Sequence, residues 1–150
     1  MSKNLRFERV IDAAPAVVFA AFTSPGGQNA FYGQDDRDWI VESVCDLRVG
    51  GIWAVTFGPA QNQLYRHRHL FRIIDSPRRL VLATTEFRLD GSTLSFTTEF
   101  SFAEHDGRTL MTMIQTGLLT AELRDEHALG LPNAFNQLEH FTRAQDAPAP

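Results

Sequence analysis

The sequence predicts an α+β fold in which a curved, seven-stranded antiparallel sheet wraps a long C-terminal helix, with two short helices after the first strand. One strand-like segment comes first and is followed by helical spacing. From residue 39 onward, apolar side chains alternate with a period of two through six segments joined by short turns. Consecutive strands joined so tightly must run antiparallel, and the apolar face of their sheet needs a cover. The only segment long enough to provide that cover is the last one, which returns to helical spacing.

The N-terminal segment predicts one strand and two short helices. Residues 5–11 alternate in the manner of a half-buried strand. Pro15 suits the first turn of a helix, and Val18 and Phe22, four positions apart, form its apolar stripe. A second short helix is expected over about residues 28–31.

Turn residues separate the six later strands. Asp90-Gly91 and Asp106-Gly107 each stand between alternating apolar segments, which is a strong short-range sign of a hairpin. We therefore expect strands over about residues 39–47, 53–57, 64–74, 80–89, 94–103 and 109–118.

The last helix is predicted by apolar residues at helical intervals, namely Leu131, Phe135, Leu138 and Phe141. A weaker amphipathic piece precedes them around residues 122–129. Because proline removes a backbone donor and clashes with the preceding turn, we expect Pro132 to kink or restart this helix.

Composition indicates one ordinary folded domain. The chain has 150 residues, of which 43% are hydrophobic and 21% charged, and it shows no repeat or internal linker. We expect a single domain over residues 1–150, with an ordered core over about residues 5–143 and a flexible tail over residues 144–150.

The charge pattern and the cysteine content exclude several classes of partner. The formal net charge is −4 and the arginines are scattered, so nucleic acid is not expected as a partner. No segment is apolar for long enough to insert into a membrane, and the first ten residues lack the apolar core of a signal peptide. A single cysteine excludes an internal disulfide and a thiolate metal cluster. We expect a cytoplasmic protein.

Four patches resemble the activator of heat shock protein 90 ATPase homologue-like (AHSA-like) family of the START-like, or SRPBCC, superfamily. They are DAAPAVVFAAFTSP at 12–25, DLRVGG at 46–51, DSPRRLV at 75–81 and HDGRTLMTM at 105–113. The similarity runs in register over about residues 5–141. It implies the helix-grip fold, with a cavity between the sheet and the last helix. No cofactor is expected.

The chain departs from the family pattern at two places. It reads Gly130-Leu131-Pro132 where members often have Gly-Trp, and Phe31 stands where a tryptophan is common. Both places border the expected cavity, so the resemblance implies the fold but not the ligand preference.

Adjacent glycines at positions 50 and 51 interrupt two strand-like segments, although strand interiors usually avoid glycine. In the family this pair marks the tight link between the second and third strands. We expect a structural role, with a positive φ or a bulge at one of the two. A phosphate-binding loop is the alternative, but no helix N-terminus follows and no lysine is placed to assist.

If the resemblance holds, the cavity is lined by alternate strand positions and by the last helix. The expected ligand-binding residues are Tyr65, His67, His69, Phe71, Thr84, Glu86, Phe96, Thr98, Phe100, Met111, Met113, Gln115, Phe135 and Leu138. His127 or Asn136 of the helix would face them. The expected wall is mostly apolar and aromatic with a few polar groups.

The inward histidines allow more than one interpretation. His67 and His69 could bind a metal together with Glu86, but His-x-His alone is weakly specific and we assign neither a metal site nor catalytic residues. Glu86 beside a histidine could be an acid/base pair or a buried polar contact that holds the strands together. Shifting the strand by one residue would turn the alternating arginines inward, at a high cost in free energy, which favours inward histidines.

Two other features have a simple structural interpretation. Residues 35–38 form a charged loop, which is expected to be solvated, although its place near the cavity mouth leaves a gating role open. Cys45 is expected to be a small buried side chain rather than a nucleophile.

These observations lead to three functional hypotheses. The first is a binding or carrier protein for a small hydrophobic or amphiphilic molecule, which requires a cavity. The second is a cochaperone-like protein-interaction module, which requires a filled interior and an exposed patch. The third is an enzyme with dispersed acid/base residues, which requires Glu86 and a histidine within hydrogen-bond reach at the cavity. A homodimer is compatible with the sequence, although no motif indicates one.

Overall fold

A computed structural model of the chain describes residues 4–146. Seven strands and three helices follow one another in the predicted order. The strands are β1 (Leu5–Ile11), β2 (Ile40–Cys45), β3 (Ile52–Gly58), β4 (Tyr65–Asp75), β5 (Arg79–Phe87), β6 (Thr93–His105) and β7 (Arg108–Thr116). The helices are α1 (Pro15–Thr23), α2 (Pro25–Phe31) and α3 (Ala121–Asp146).

All seven strands form one antiparallel sheet in the order β1-β7-β6-β5-β4-β3-β2. The six later strands are a meander, and β1 closes the far side by pairing with β7, where Phe7 lies opposite Met113. The curved sheet with its long C-terminal helix confirms the predicted helix-grip architecture.

Helix α3 runs through Pro132 without a restart and continues to Asp146. Three residues that we expected in a flexible tail are therefore helical, and the other four lie outside the described residues. Arg9 of β1 ties the helix to the sheet, because its Nε donates to Glu139 at 2.6 Å and its Nη2 donates to Asn136 at 2.7 Å. Asn136 thus serves this contact and does not face the cavity.

The glycine pair makes the tight link between β2 and β3. Gly50 has a φ of 86°, as expected for one member of the pair. A side chain at Gly51 would place its Cβ only 2.1 Å from the Asp46 carbonyl oxygen. Both glycines form backbone hydrogen bonds with Phe71 of β4. The Gly50 amide donates to the Phe71 carbonyl, and the Phe71 amide donates to the Gly51 carbonyl. The link therefore needs glycine for its φ at one position and for close packing at the other.

A cluster of aromatic rings forms much of the core between α1, α2, the sheet and α3. Phe22 of α1 is fully buried, with its ring centroid 4.4 Å from that of Phe100 and 5.2 Å from that of Phe31. Phe102 and Phe135 complete the cluster. Burying each such ring contributes roughly 1.5–3 kcal/mol. The second half of α3 covers this packed region, which leaves the first half to cover the cavity.

Within residues 4–146, no helix combines the length and the apolar character needed to cross a membrane.

Candidate functional site

A cavity of about 260 Å³ lies between the sheet, the segment after α2 and the first half of α3. Seven aromatic side chains line it, namely Phe31, Tyr32, Trp39, Trp53, Phe57, Tyr65 and Phe100. Its polar lining includes His67, His69, Glu86, Thr98, Gln115, Glu126, His127 and Asn133. The wall is thus an aromatic box with a polar side.

Eight of the fourteen expected site residues border this cavity. They are Tyr65, His67, His69, Glu86, Thr98, Phe100, Met113 and Gln115. The other six do not border it and lie in the packed interior: Phe71, Thr84, Phe96, Met111, Phe135 and Leu138. Four of them are strand residues on the inner face of the sheet, and Phe135 and Leu138 belong to the second half of α3.

A chain of hydrogen bonds crosses the polar side of the cavity, with Tyr32 at its centre. The Tyr32 hydroxyl lies 2.8 Å from His67 Nδ1 and 2.8 Å from His69 Nε2. His69 Nδ1 then meets the Thr84 hydroxyl at 2.8 Å, and Thr84 meets the Thr98 hydroxyl at 3.1 Å. These contacts join three strands, β4, β5 and β6, to the segment after α2.

At its other end the chain reaches two carboxylates and one arginine. His67 Nε2 lies 2.8 Å from Glu86 Oε1. The other oxygen of Glu86 accepts from Arg88 Nη1 at 2.6 Å, and Arg88 Nη2 donates to both oxygens of Glu126, at 2.9 and 3.1 Å. Arg88 thus bridges a buried carboxylate on β5 and a half-exposed one on α3.

The ionised Glu86 fixes the direction of every proton in the chain when both histidines are neutral. A carboxylate accepts only, so His67 must carry its proton on Nε2 and accept at Nδ1 from the Tyr32 hydroxyl. Tyr32 then accepts from His69 Nε2, and His69 Nδ1 accepts from Thr84. Thr84 in turn accepts from Thr98. Each group donates once, so the network is satisfied without a spare proton.

The site shifts three pKa values. Burial would raise the pKa of Glu86, but contacts with His127 and His67 outweigh it and hold that pKa below its ordinary value. Burial, assisted by His67, lowers the pKa of His69 well below its ordinary value. Burial and the Glu86 charge raise the pKa of Tyr32. These shifts favour an ionised Glu86, a neutral His69 and a protonated Tyr32.

His127 approaches the same carboxylate from α3. Its Nδ1 lies 2.9 Å from Gln115 Oε1, and its ring packs edge-on to Phe96 at 5.1 Å. Its buried Nε2 lies 3.4 Å from Glu86 Oε1 and makes no hydrogen bond within residues 4–146. Of the two helix candidates, His127 faces the cavity.

The family model described as "Activator of Hsp90 ATPase homolog 1-like protein" matches residues 12–142. The chain belongs to this family. No curated protein matches it.

Several solved structures share the fold. Protein Ms6760 from Mycobacterium smegmatis superposes with a TM-score of 0.78 at 20% identity, covering 93% of this chain and 90% of that one. Protein CV1439 from Chromobacterium violaceum superposes with a TM-score of 0.81 at 20% identity, covering 93% of this chain and 96% of that one. A protein from Rhodobacter sphaeroides superposes with a TM-score of 0.77 at 22% identity, covering 94% of this chain and 93% of that one. At such identities the likeness shows the fold alone.

The two departures from the AHSA-like pattern are cavity residues, since Phe31 and Leu131 both line the wall. Several further wall residues were not predicted, among them Tyr32, Trp39, Trp53, Phe57 and Glu126. Trp39 and Trp53 were predicted as strand residues, and the alternation of apolar side chains in those strands does not show which of them border a cavity. Tyr32 follows a short helix, where no period indicates its direction.

The charged loop packs onto α3 beside the cavity. The Gln137 amide donates to Asp35 Oδ1 at 2.8 Å, and the Asn133 amide donates to the Gly33 carbonyl at 3.1 Å. Residues 35–38 themselves are exposed, as expected. Two contacts therefore hold the segment at the mouth of the cavity to the helix.

The remaining chemical candidates find no support. In the described part of the chain, no three His, Cys, Asp or Glu side chains are grouped so that they could hold a metal. Cys45 is half-buried beside the Gln28 amide, and burial is the main reason that its pKa is raised. A thiol with a raised pKa is a poor nucleophile.

Proposed function

We propose that the protein binds or carries a small, largely apolar ring compound that bears one or two polar groups, and that it acts as a single START-like domain. The observation that supports this best is the cavity itself, an aromatic box with a polar side. Its volume of about 260 Å³ lies just below the roughly 300–1,000 Å³ typical of pockets for drug-sized ligands. A ligand of one or two rings suits this space. The fold of this family commonly binds hydrophobic ligands.

The polar side is arranged for recognition more than for chemistry. Every hydrogen-bonding group from Thr98 to Glu86 already has a protein partner. Glu86 has a lowered pKa and is bound to Arg88, which makes it a weak base. A fixed and satisfied polar wall orients a ligand without reorganisation on binding.

An acid/base enzyme is the second candidate, since His67 and Glu86 lie within hydrogen-bond reach of each other and both border the cavity. The cochaperone-like module, which the family's name suggests, requires a filled interior, and the presence of the cavity disfavours it. Binding with no turnover of the bound compound would favour the carrier over the enzyme.

The first test is native mass spectrometry of the purified full chain, compared with its denatured mass. A co-purifying compound, or saturable binding of a small ring compound, supports the proposal. Both tryptophans of the chain, Trp39 and Trp53, line the cavity, so a change in their fluorescence reports its occupation.

A matched pair of variants tests the location of binding. Gly130 lies on α3 at the cavity, and a Cβ added there would meet no atom within 4 Å, so Gly130→Phe can narrow the cavity without a steric clash at Cβ. Its neighbour Leu129 is exposed and does not line the cavity, so Leu129→Phe is the control. We expect binding to be lost only in Gly130→Phe. Equal binding by both variants would place the site elsewhere.

A further inference from the structure

The charged groups around the cavity do not balance. Two carboxylates, Glu86 and Glu126, belong to its wall, and no lysine or arginine does among residues 4–146. Arg88 stands behind the wall and contacts both carboxylates. One positive charge therefore faces two negative ones, with His67 and His127 as the other titratable neighbours.

Arg88 is poorly placed to receive an anionic ligand, because it does not line the cavity. It uses Nη1 for Glu86 and Nη2 for both oxygens of Glu126, and its side chain is largely buried. A ligand carboxylate would therefore have to compete with both glutamates for this arginine. An anion that entered without a partner would lose part of its hydration and meet two like charges, which is unfavourable.

The same surroundings favour other charges. Aromatic faces attract cations, because the ring carries negative charge above its plane, and seven aromatic side chains line this wall. Glu126 is half-exposed and reaches the cavity, so an ammonium group could approach it without being fully dehydrated. An uncharged hydroxyl of a ligand is not repelled by the two carboxylates and can form a hydrogen bond with the polar side of the wall.

Resting on the proposed function, we propose that the cavity accepts uncharged and cationic ring compounds and excludes carboxylic acids of the same size. Glu86 and Glu126, sharing one arginine, are the groups that set this selectivity. Fatty acids and aromatic acids are therefore not ligands of this protein.

Calorimetric titration of the full chain at pH 7.5 tests the proposal with three probes that share one ring system: 2-naphthylmethanol, 2-naphthylmethylamine and 2-naphthoate. We expect the alcohol and the amine to bind at least about tenfold more tightly than the acid. Binding of the acid as tightly as the alcohol would overturn the selectivity and leave the proposed function intact. Binding of none of the three would overturn both.

A charge variant then tests which residue is responsible. Glu126→Gln removes the surplus charge, and it should lower the ratio of amine to acid affinity about fivefold or more, as expected for a charge a few ångströms from the ligand. Glu122→Gln changes an exposed carboxylate one turn earlier on α3 and should leave that ratio unchanged. An equal effect of the two variants, or no effect of either, would contradict the assignment to Glu126.

Discussion

Removing the Tyr32 hydroxyl should destabilise the protein far more than removing the Tyr65 hydroxyl. Both rings line the cavity, but Tyr32 makes two hydrogen bonds of 2.8 Å, to His67 and His69, whereas the Tyr65 hydroxyl makes none with residues 4–146. Tyr32→Phe keeps the ring contacts and leaves one acceptor and one donor without a partner. Tyr65→Phe is thus a control that shares the cavity and the chemistry of the change.

The expected magnitude follows from those two unpaired nitrogens. Each lost hydrogen bond is worth about 0.5–1.5 kcal/mol, and each buried polar atom left unpaired can cost about 1–3 kcal/mol. His69 is buried and His67 partly so, and we therefore expect Tyr32→Phe to lower the free energy of unfolding by about 2–4 kcal/mol, against less than about 0.5 for Tyr65→Phe.

Urea unfolding followed by circular dichroism measures both variants. For a chain of this size, a loss of 2–4 kcal/mol lowers Tm by roughly 5–15 °C. If Tyr32→Phe unfolded at the same urea concentration as the wild type, the hydrogen-bonded chain would not be a stabilising unit. Equal losses in the two variants would show that the tyrosine hydroxyls act through solvation of the cavity instead.

Three further outcomes are expected. Folding lowers the pKa of His69 from 6.5, so below that pH the unfolded chain binds a proton that the folded protein does not bind. Folding also lowers the pKa of Glu86 from 4.5, which has the same effect on stability below pH 4.5. Stability should therefore fall as the pH drops below 6.5 and again below 4.5, by up to about 1.4 kcal/mol per pH unit per group, and an unfolding titration flat from pH 7 to 4 would contradict this. Gly51→Ala should lower the free energy of unfolding by more than about 2 kcal/mol, because the new Cβ would overlap the Asp46 carbonyl. Gly130→Ala, in the helix, should raise it by about 0.5–1 kcal/mol, and equal urea midpoints for the two variants would refute this contrast. Phe22→Ala should cost about 3–5 kcal/mol in the same assay, and a loss below about 1 would mean that the cluster repacks.

The fold could be predicted because alternation and turn residues are local signals. The strand expected over residues 64–74 is Tyr65–Asp75, and the one expected over residues 94–103 is Thr93–His105. The second helix begins at Pro25, three residues earlier than expected, since the Ser24 side chain accepts from the Gly27 amide and caps it. A single capping serine is too weak a sequence signal to predict where this helix begins.

The site could be predicted only in part. Alternation placed His67, His69 and Glu86 on the inner face, because a strand sends every second side chain the same way. It could not separate the residues that border the cavity from those such as Phe71 that lie in the packed core, because that depends on what packs in front of them. Tyr32 comes from the end of a helix, and only the assembled fold brings it between two histidines.

The hydrogen-bonded chain from Thr98 to Glu86 behaves as one ordered array. Each hydroxyl has a single proton to give, so reversing the bond between His67 and Tyr32 reverses the three bonds that follow it toward Thr98. A proton added at His67 Nδ1 would turn Tyr32 toward His69, His69 toward Thr84, and Thr84 toward Thr98. The Thr98 hydroxyl, which could only accept from a ligand, would then donate to it. Whether Thr98 binds a donor or an acceptor of the ligand is thus decided by the protonation of His67, four hydrogen bonds away.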